Sequence, residues 1–143
     1  MKKVLSIVTI FTVLCVLTIA TSAYVVDRIT GSVQDPTSGQ YYSTYGELYA
    51  SGLRRGGETG CPNIKPRSIS VSVYVGGTNQ GSTSYTNTDT SNYRTAYYMM
   101  SSDYSGDIDS DGANYSIHTV YIGGSATGSG YWNQRVDENN NWK

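Results

Sequence analysis

One run of residues has a spacing that suits metal chemistry, Asp107-Ile108-Asp109-Ser110-Asp111-Gly112. Carboxylates at alternate positions can converge on one hard cation, and the glycine permits the sharp turn that keeps them converging. Asp103 is close enough in sequence to add a further oxygen. The run therefore predicts a calcium site with Asp107, Asp109 and Asp111 as side-chain ligands. The alternative is a solvated turn between two strands, since aspartate also favours turns.

The same run resembles the first half of an EF-hand loop. In this resemblance the three aspartates supply side-chain ligands, Gly112 makes the turn and Ala113 offers its backbone carbonyl. The match ends at His118, which stands where the bidentate glutamate belongs, and a β-rich sequence replaces the flanking helices. The resemblance implies an isolated acidic loop of the extracellular kind, with an affinity of roughly 0.1 to 1 mM.

Cys61 and His118 are the only thiol and the only imidazole after residue 23, so a Cys-His pair is arithmetically possible. Such a pair would define a cysteine-dependent hydrolase or transpeptidase, because the imidazole activates the thiolate. Cys61 lies in a predicted loop, with no predicted helix N-terminus to lower its pKa. We interpret Cys61 as a buried side chain or an exposed thiol that dimerises the protein. His118 is predicted to pack against a sheet.

Tyrosine is the other prominent residue type, with 14 in the chain. Tyr41, Tyr45 and Tyr49 are spaced to share one face of a strand, and Tyr93 and Tyr97 to share a face of another. A flat apolar ring with a polar tip suits contact with sugars and proteins, so these five are the candidate binding residues. The alternative is that the rings replace phenylalanine in covering a small sheet.

Hydrolysis of glycosides would need a pair of carboxylates on neighbouring strands. Glu47, Glu58 and Glu138 are the only glutamates, and their spacing predicts no such pair. Glu47 alternates with two of the tyrosines on a predicted strand. A tyrosine-flanked carboxylate at Glu47 is thus an alternative, but the leading prediction is a non-enzymatic protein.

The pattern of apolar residues predicts strands and no helix after residue 23. The clearest strand is Ser68 to Val75, where Ile69, Val71, Val73 and Val75 alternate with polar residues and tyrosine. Further strands are predicted at Tyr24 to Thr30, Tyr41 to Ala50, Ser82 to Asn87, Tyr93 to Ser101, Tyr115 to Ile122 and Gly130 to Val136. About seven short strands without long linkers predict an all-β fold, a small antiparallel β-sandwich or open barrel.

Two further patterns bear on the connections. Residues 73–82 and 120–129 both follow V-Y-[VI]-G-G-x-x-x-G-S, which predicts two similar hairpins with glycines at positive φ, one in each half of the domain. Coincidence among turn sequences is the alternative. The segment Gly52 to Arg67 shows neither helical nor strand periodicity and is predicted to be a long surface loop.

The N-terminus has the pattern of a secretory signal. Lys2 and Lys3 precede an uncharged run from Val4 to Ala20, and small residues end at Ala23. We therefore predict a signal peptide at 1–23 and a single β-rich extracellular domain at 24–143. Residues 24–143 carry eight basic and eleven acidic side chains, which argues against nucleic acid as a partner.

These patterns together predict a secreted bacterial protein that binds an extracellular protein or glycan, with no membrane association after signal cleavage. One alternative is a small bacteriocin-like antibacterial protein, because the length, the Gly and Tyr content and the end Asn139-Asn140-Asn141-Trp142-Lys143 are loosely similar to β-rich lactococcin-type bacteriocins. A cysteine-dependent hydrolase or transpeptidase is the second alternative.

Overall fold

The computed structural model describes residues 22–106, 108, 113–125 and 128–138, and these form strands and their connections without a helix. The eight strands are β1 Tyr24–Gln34, β2 Tyr41–Ser51, β3 Arg54–Gly60, β4 Ser68–Val75, β5 Thr78–Thr86, β6 Thr95–Met99, β7 Tyr115–Tyr121 and β8 Tyr131–Asp137. Strands β1-β2-β3-β6 form sheet A and β5-β4-β7-β8 form sheet B, both antiparallel throughout. The fold is a small β-sandwich, which confirms the prediction of an all-β antiparallel fold.

Strand β4 supplies the centre of the core. Its alternation is confirmed: Ile69, Val71, Val73 and Val75 are each at most 1% exposed, while the residues between them are partly exposed. Burying a side chain of this size contributes about 1.5–3 kcal/mol relative to leaving it in water. The core cluster between the sheets also holds Val33, Cys61, Ala96, Val120 and Trp132.

Strand β3 corrects the prediction of a long loop at Gly52 to Arg67. It is a central strand of sheet A, paired with β2 on one side and with β6 on the other. Glycines hid it from a search for apolar alternation, because the side chains that cover this strand come from its neighbours. At Gly57, for example, a Cβ atom would approach Val71 Cγ2 of sheet B to 2.9 Å. Glycine therefore lets the two sheets pack closely at this point.

The repeated sequence forms two hairpins, as predicted, but both lie in sheet B. Gly76 and Gly77, at φ +58° and +75°, join β4 to β5 in a two-residue turn. Gly123 and Gly124 also have positive φ and lie in the connection from β7 to β8. Val71 of β4 pairs with its repeat equivalent His118 of β7, so a pseudo-two-fold axis relates the hairpins as the two halves of one sheet.

The predicted signal segment lies outside the described residues, apart from Ser22 and Ala23, and stays a prediction. Within the part of the chain that the structure describes, no helix is long and apolar enough to cross a membrane.

Candidate ligand-binding face

The three tyrosines of β2 lie on the outer face of sheet A. Strand β2 alternates strictly, with Tyr41, Tyr45 and Tyr49 facing outward and Thr44, Gly46, Leu48 and Ala50 facing the core. Tyr41 is 65% exposed and lies near the start of the strand, whereas the other two rings are half-buried among neighbours on the same face. The predicted spacing therefore places these rings on one surface.

One row of directly paired residues crosses this face, with one member from each strand of sheet A. Arg28 pairs with Glu47, Glu47 with Glu58, and Glu58 with Tyr97. The prediction that no two glutamates are paired is therefore wrong for Glu47 and Glu58. The carboxylates come together because the two-residue turn at Gly52-Leu53 fixes the register of β2 against β3.

Hydrogen bonds hold the rings and carboxylates of this face in place. Tyr45 donates its hydroxyl proton to Glu58 Oε1 at 2.6 Å, and Tyr49 donates to Glu47 Oε2 at 2.5 Å. Tyr49 and Tyr97 meet edge to face, with ring centroids 5.9 Å apart and planes at 69°. We call Tyr45, Glu47, Tyr49, Glu58 and Tyr97 the tyrosine–glutamate face.

Arg28 lies at one side of this face and supplies a cation. Its Nη1 atom is 3.2 Å from Glu47 Oε1, and its guanidinium carbon is 5.0 Å from the centroid of the Tyr45 ring. A guanidinium between a carboxylate and an aromatic ring gains from both the ion pair and the ring quadrupole. Arg28 therefore offsets one of the two glutamates.

The electrostatics of the face keep Tyr45 and Tyr49 protonated. Burial, the hydrogen bond to Glu58 and the neighbouring carboxylate charges raise the pKa of Tyr45 well above its ordinary value. Burial, the hydrogen bond to Glu47 and the charges of both glutamates raise the pKa of Tyr49 in the same way. Both hydroxyls are therefore fixed donors, and the rings carry no negative charge of their own.

Tyr93 is not part of this face. It lies two residues before β6 begins and stacks on Tyr85 of sheet B, with centroids 4.1 Å apart and planes at 8°. Asn87 fixes its backbone by accepting from the Tyr93 amide and donating to its carbonyl. The strand predicted from residue 93 begins only at Thr95, and this later start separates Tyr93 from Tyr97.

Cys61 and His118 are both fully buried, and His118 is committed to other partners. The Thr59 hydroxyl donates to the Ser70 carbonyl, so it accepts from His118 Nδ1 at 2.8 Å. His118 Nε2 then accepts from the Ser116 hydroxyl at 2.7 Å. Both ring nitrogens are thus used, and the geometry gives the Cys61 thiol no imidazole base.

Burial also sets the protonation states of these two side chains. It raises the pKa of the Cys61 thiol to about 11, which leaves the residue as an unreactive thiol at neutral pH. It lowers the pKa of His118 to about 4, in keeping with a neutral ring held by two hydroxyl groups. The structure therefore places both residues in the core, where the sequence predicted His118 to pack.

The predicted calcium ligands Asp107, Asp109 and Asp111 lie outside the described residues. Asp103, the additional oxygen donor considered from the sequence, is 3.7 Å from Arg54 Nε on β3. Among the residues that the structure describes, no three His, Cys, Asp or Glu side chains converge as a metal site would require.

An open pocket of about 560 Å³ lies at the end of strands β4, β5 and β7 and is not part of the tyrosine–glutamate face. Lys65, Arg67, Asp89 and Tyr121 are among its lining residues. The Lys65 ammonium donates to two backbone carbonyls of the β5–β6 connection, at 2.8 and 3.1 Å. Lys65 therefore holds that connection in place.

Sequence analysis missed Arg28 and Glu58 as members of the face. The sequence feature that could have indicated Glu58 is Gly52-Leu53, because glycine in the first position of a two-residue turn is typical of a tight hairpin. Such a hairpin makes the residues after it, including Glu58, a strand that pairs with β2. Gly52 does have a φ of +59°. No local pattern indicated Arg28, because its place depends on the pairing of β1 with β2.

No family model matches the chain, and comparisons with curated proteins and with solved structures also give no match.

Proposed function

We propose that this protein is a non-enzymatic, secreted binding protein whose ligand contacts the tyrosine–glutamate face. The observation that carries the proposal is the assembly of three tyrosine rings and two carboxylates, from three strands, on one outer surface of a sandwich. The ligand would be an extracellular protein or a glycan at a cell surface.

Pre-organisation supports a binding role for this surface. Tyrosine buries a large area for the loss of few side-chain rotamers, and an ordered ring loses less entropy on binding than a free one. Tyr45 and Tyr49 are held by hydrogen bonds to carboxylates, and Tyr49 also contacts the ring of Tyr97. Tyr97 is 47% exposed, so part of its surface is available to a ligand.

The test compares two tyrosines of equal exposure. Labelled protein would be titrated onto bacterial cells and onto a glycan array, as wild type and as the variants Tyr97→Ala and Tyr93→Ala. Tyr93 is 46% exposed but stacks on sheet B, so it is a matched control. We expect saturable binding that Tyr97→Ala weakens and Tyr93→Ala leaves unchanged. Equal binding by both variants would exclude this face, and clearing of a bacterial lawn would favour the bacteriocin-like alternative.

Glycoside hydrolysis is a second candidate function, favoured by the direct pairing of Glu47 with Glu58. Retaining glycosidases place two carboxyl groups about 5–5.5 Å apart, which cross-strand neighbours allow. Chromogenic glycosides would be offered to wild type, Glu47→Gln and Glu58→Gln. Hydrolysis that both variants abolish would establish the enzyme, whereas unhydrolysed glycosides with intact binding would leave the binding proposal alone.

Calcium stabilisation is a separate part of the proposal and is supported by the Asp107 to Gly112 sequence alone. A ligand that binds only the folded state raises the free energy of unfolding by RT ln(1 + [L]/Kd), and the melting temperature rises with it. We expect a higher melting temperature in 10 mM calcium, about ten times the weaker end of the predicted affinity range, than in EDTA. The gain should be lost in Asp109→Asn. An unchanged melting temperature would leave only the solvated turn.

A further inference from the structure

We propose that the tyrosine–glutamate face binds an arginine or lysine side chain of a partner polypeptide, with its cationic group between Glu58 and Tyr97. This inference rests on the proposed binding function and names the chemistry of the ligand. Its basis is a comparison of three places where a tyrosine ring lies near a carboxylate. At two of them an arginine of the protein contacts both groups, and at the third, Glu58 and Tyr97, no arginine of the described residues does so.

The first complete arrangement is on sheet A. The Arg28 guanidinium lies 5.0 Å from the centroid of Tyr45 and 3.2 Å from Glu47 Oε1. A cation is thus already held on this face by one ring and one carboxylate.

The second complete arrangement is on the outer face of sheet B. Tyr115 of β7 and Asp137 of β8 are directly paired, and Arg135 lies two residues from Asp137 on the same strand. The Arg135 guanidinium carbon is 3.6 Å from the centroid of Tyr115, and its Nε donates to Asp137 Oδ1 at 2.6 Å. On sheet B, too, a guanidinium therefore lies beside both a tyrosine ring and a carboxylate, which here face each other across two strands.

Glu58 and Tyr97 repeat the relation between Asp137 and Tyr115 without the arginine. They are directly paired across β3 and β6, as a carboxylate and a half-exposed tyrosine. Among the described residues Glu58 accepts a hydrogen bond from Tyr45 and forms no ion pair. Arg28 offsets Glu47, so the charge of Glu58 is the uncompensated one on this face.

Two physical arguments favour a cation at this position. Like charges directly opposite each other on neighbouring strands are destabilising, so a cation beside Glu58 would relieve its repulsion with Glu47. The hydroxyl protons of Tyr45 and Tyr49 are also already donated to the glutamates, which leaves mainly carboxylate oxygens and ring surface for a ligand. Guanidinium and ammonium groups only donate hydrogen bonds and favour aromatic rings, so they match what is left.

The experiment uses tetra-arginine peptide as the probe and its tetra-citrulline counterpart as the uncharged control. Calorimetric titration of the purified protein would compare wild type, Glu58→Gln, Tyr97→Ala and Asp89→Asn. Glutamine keeps the size of Glu58 and an oxygen that accepts from Tyr45. Asp89→Asn removes the same charge from the pocket at the end of sheet B, away from this face.

We expect saturable binding of tetra-arginine that Glu58→Gln and Tyr97→Ala each weaken about tenfold. Asp89→Asn should bind within about twofold of wild type, and tetra-citrulline should not bind. Equal weakening by Asp89→Asn, full binding by Glu58→Gln or binding of tetra-citrulline would overturn the inference. If tetra-arginine does not bind while Tyr97→Ala still loses cell or glycan binding, the cationic ligand is wrong and the binding face stands. If Tyr97→Ala changes neither, the proposed function itself fails.

Discussion

The ring of Tyr45 lies over Gly60, its directly paired neighbour on β3. A Cβ atom at Gly60 would overlap the ring atoms Cε1 and Cζ and the hydroxyl oxygen of Tyr45. The missing side chain therefore makes room for the ring, and the ring in turn reaches Glu58 two residues away. The glycines that hid β3 from sequence analysis thus help to build the candidate site.

We predict that Gly60→Ala displaces Tyr45 and destabilises the protein by about 1–3 kcal/mol, the usual cost of overpacking. Denaturant unfolding measures this loss. The control is a double-mutant cycle with Tyr45→Ala, which removes the ring that the new methyl group would meet. In that background Gly60→Ala should cost little, because alanine is otherwise better than glycine within a strand. An equal cost in both backgrounds would show that the ring does not lie over Gly60.

The sequence predicts the strands that are rich in β-branched and aromatic residues, but it does not predict β3, in which Thr59 is the only such residue. Strand β4 begins and ends as predicted because valine and isoleucine alternate with polar residues. Strand β3 has Arg55, Gly57 and Thr59 on its inner face, which gives no apolar pattern. Its burial arises from side chains distant in sequence, such as Val71 against Gly57.

The residues of the candidate site also fall into two groups, those that the local sequence places together and those that only long-range strand pairing brings together. Tyr41, Tyr45 and Tyr49 share a face by local spacing alone, so the sequence was enough to place them together. The pairing of Glu47 with Glu58 follows from the position of the Gly52-Leu53 turn, so the sequence could have predicted it. The pairing of Glu58 with Tyr97 joins residues 39 positions apart, because β3 and β6 are distant in sequence, and no local pattern indicates it.

Arg55 and Glu138 form an ion pair buried between the two sheets. Arg55 Nε and Nη2 donate to the two oxygens of Glu138 at 2.8 and 2.7 Å, and both side chains are largely buried. Removing one partner leaves an uncompensated buried charge, so we predict that Glu138→Ala destabilises the protein by about 3–5 kcal/mol.

The exposed pair Arg54–Asp103 is the control for this measurement. Its atoms are 3.7 Å apart and its side chains are 36% and 67% exposed, so Asp103→Ala should cost no more than about 1 kcal/mol. Replacing both members of the buried pair, as Arg55→Met with Glu138→Leu, should recover much of the loss. A similar cost for Glu138→Ala and Asp103→Ala would mean that the buried pair does not tie the sheets together.

Thr44 carries a buried hydroxyl that forms no hydrogen bond among the described residues. Valine has nearly the same shape without the polar atom, so we predict that Thr44→Val stabilises the protein by about 1 kcal/mol. Thr59→Val makes the same chemical change on β3, where the hydroxyl bonds both Ser70 and His118. This control should lose stability instead. Melting temperatures that move in the same direction for both variants would contradict the prediction.

His118 predicts how stability depends on pH. Burial lowers its pKa in the folded protein to about 4, below its ordinary value of 6.5, so the folded state holds the neutral ring. Between about pH 4 and 6.5 the unfolded chain therefore binds more protons than the folded one, and stability rises with pH. The stability is lost as pH falls through this window, by a total of roughly 3 kcal/mol.

Denaturant unfolding at a series of pH values measures this slope, and His118→Leu is the variant that removes the titrating group. The variant should be less stable at pH 7, because Ser116 and Thr59 lose their partner, but its stability should change little between pH 4 and 6.5. Hydrogen bonds from Ser38 and Thr37 lower the pKa of Asp35 below its ordinary value of 3.8. The ionised side chain therefore stabilises the folded state above that pH, and this contribution is lost only as pH falls below it. The pH range over which Asp35 affects stability therefore lies below the range for His118. A variant that keeps the full slope between pH 4 and 6.5 would assign the effect to another group.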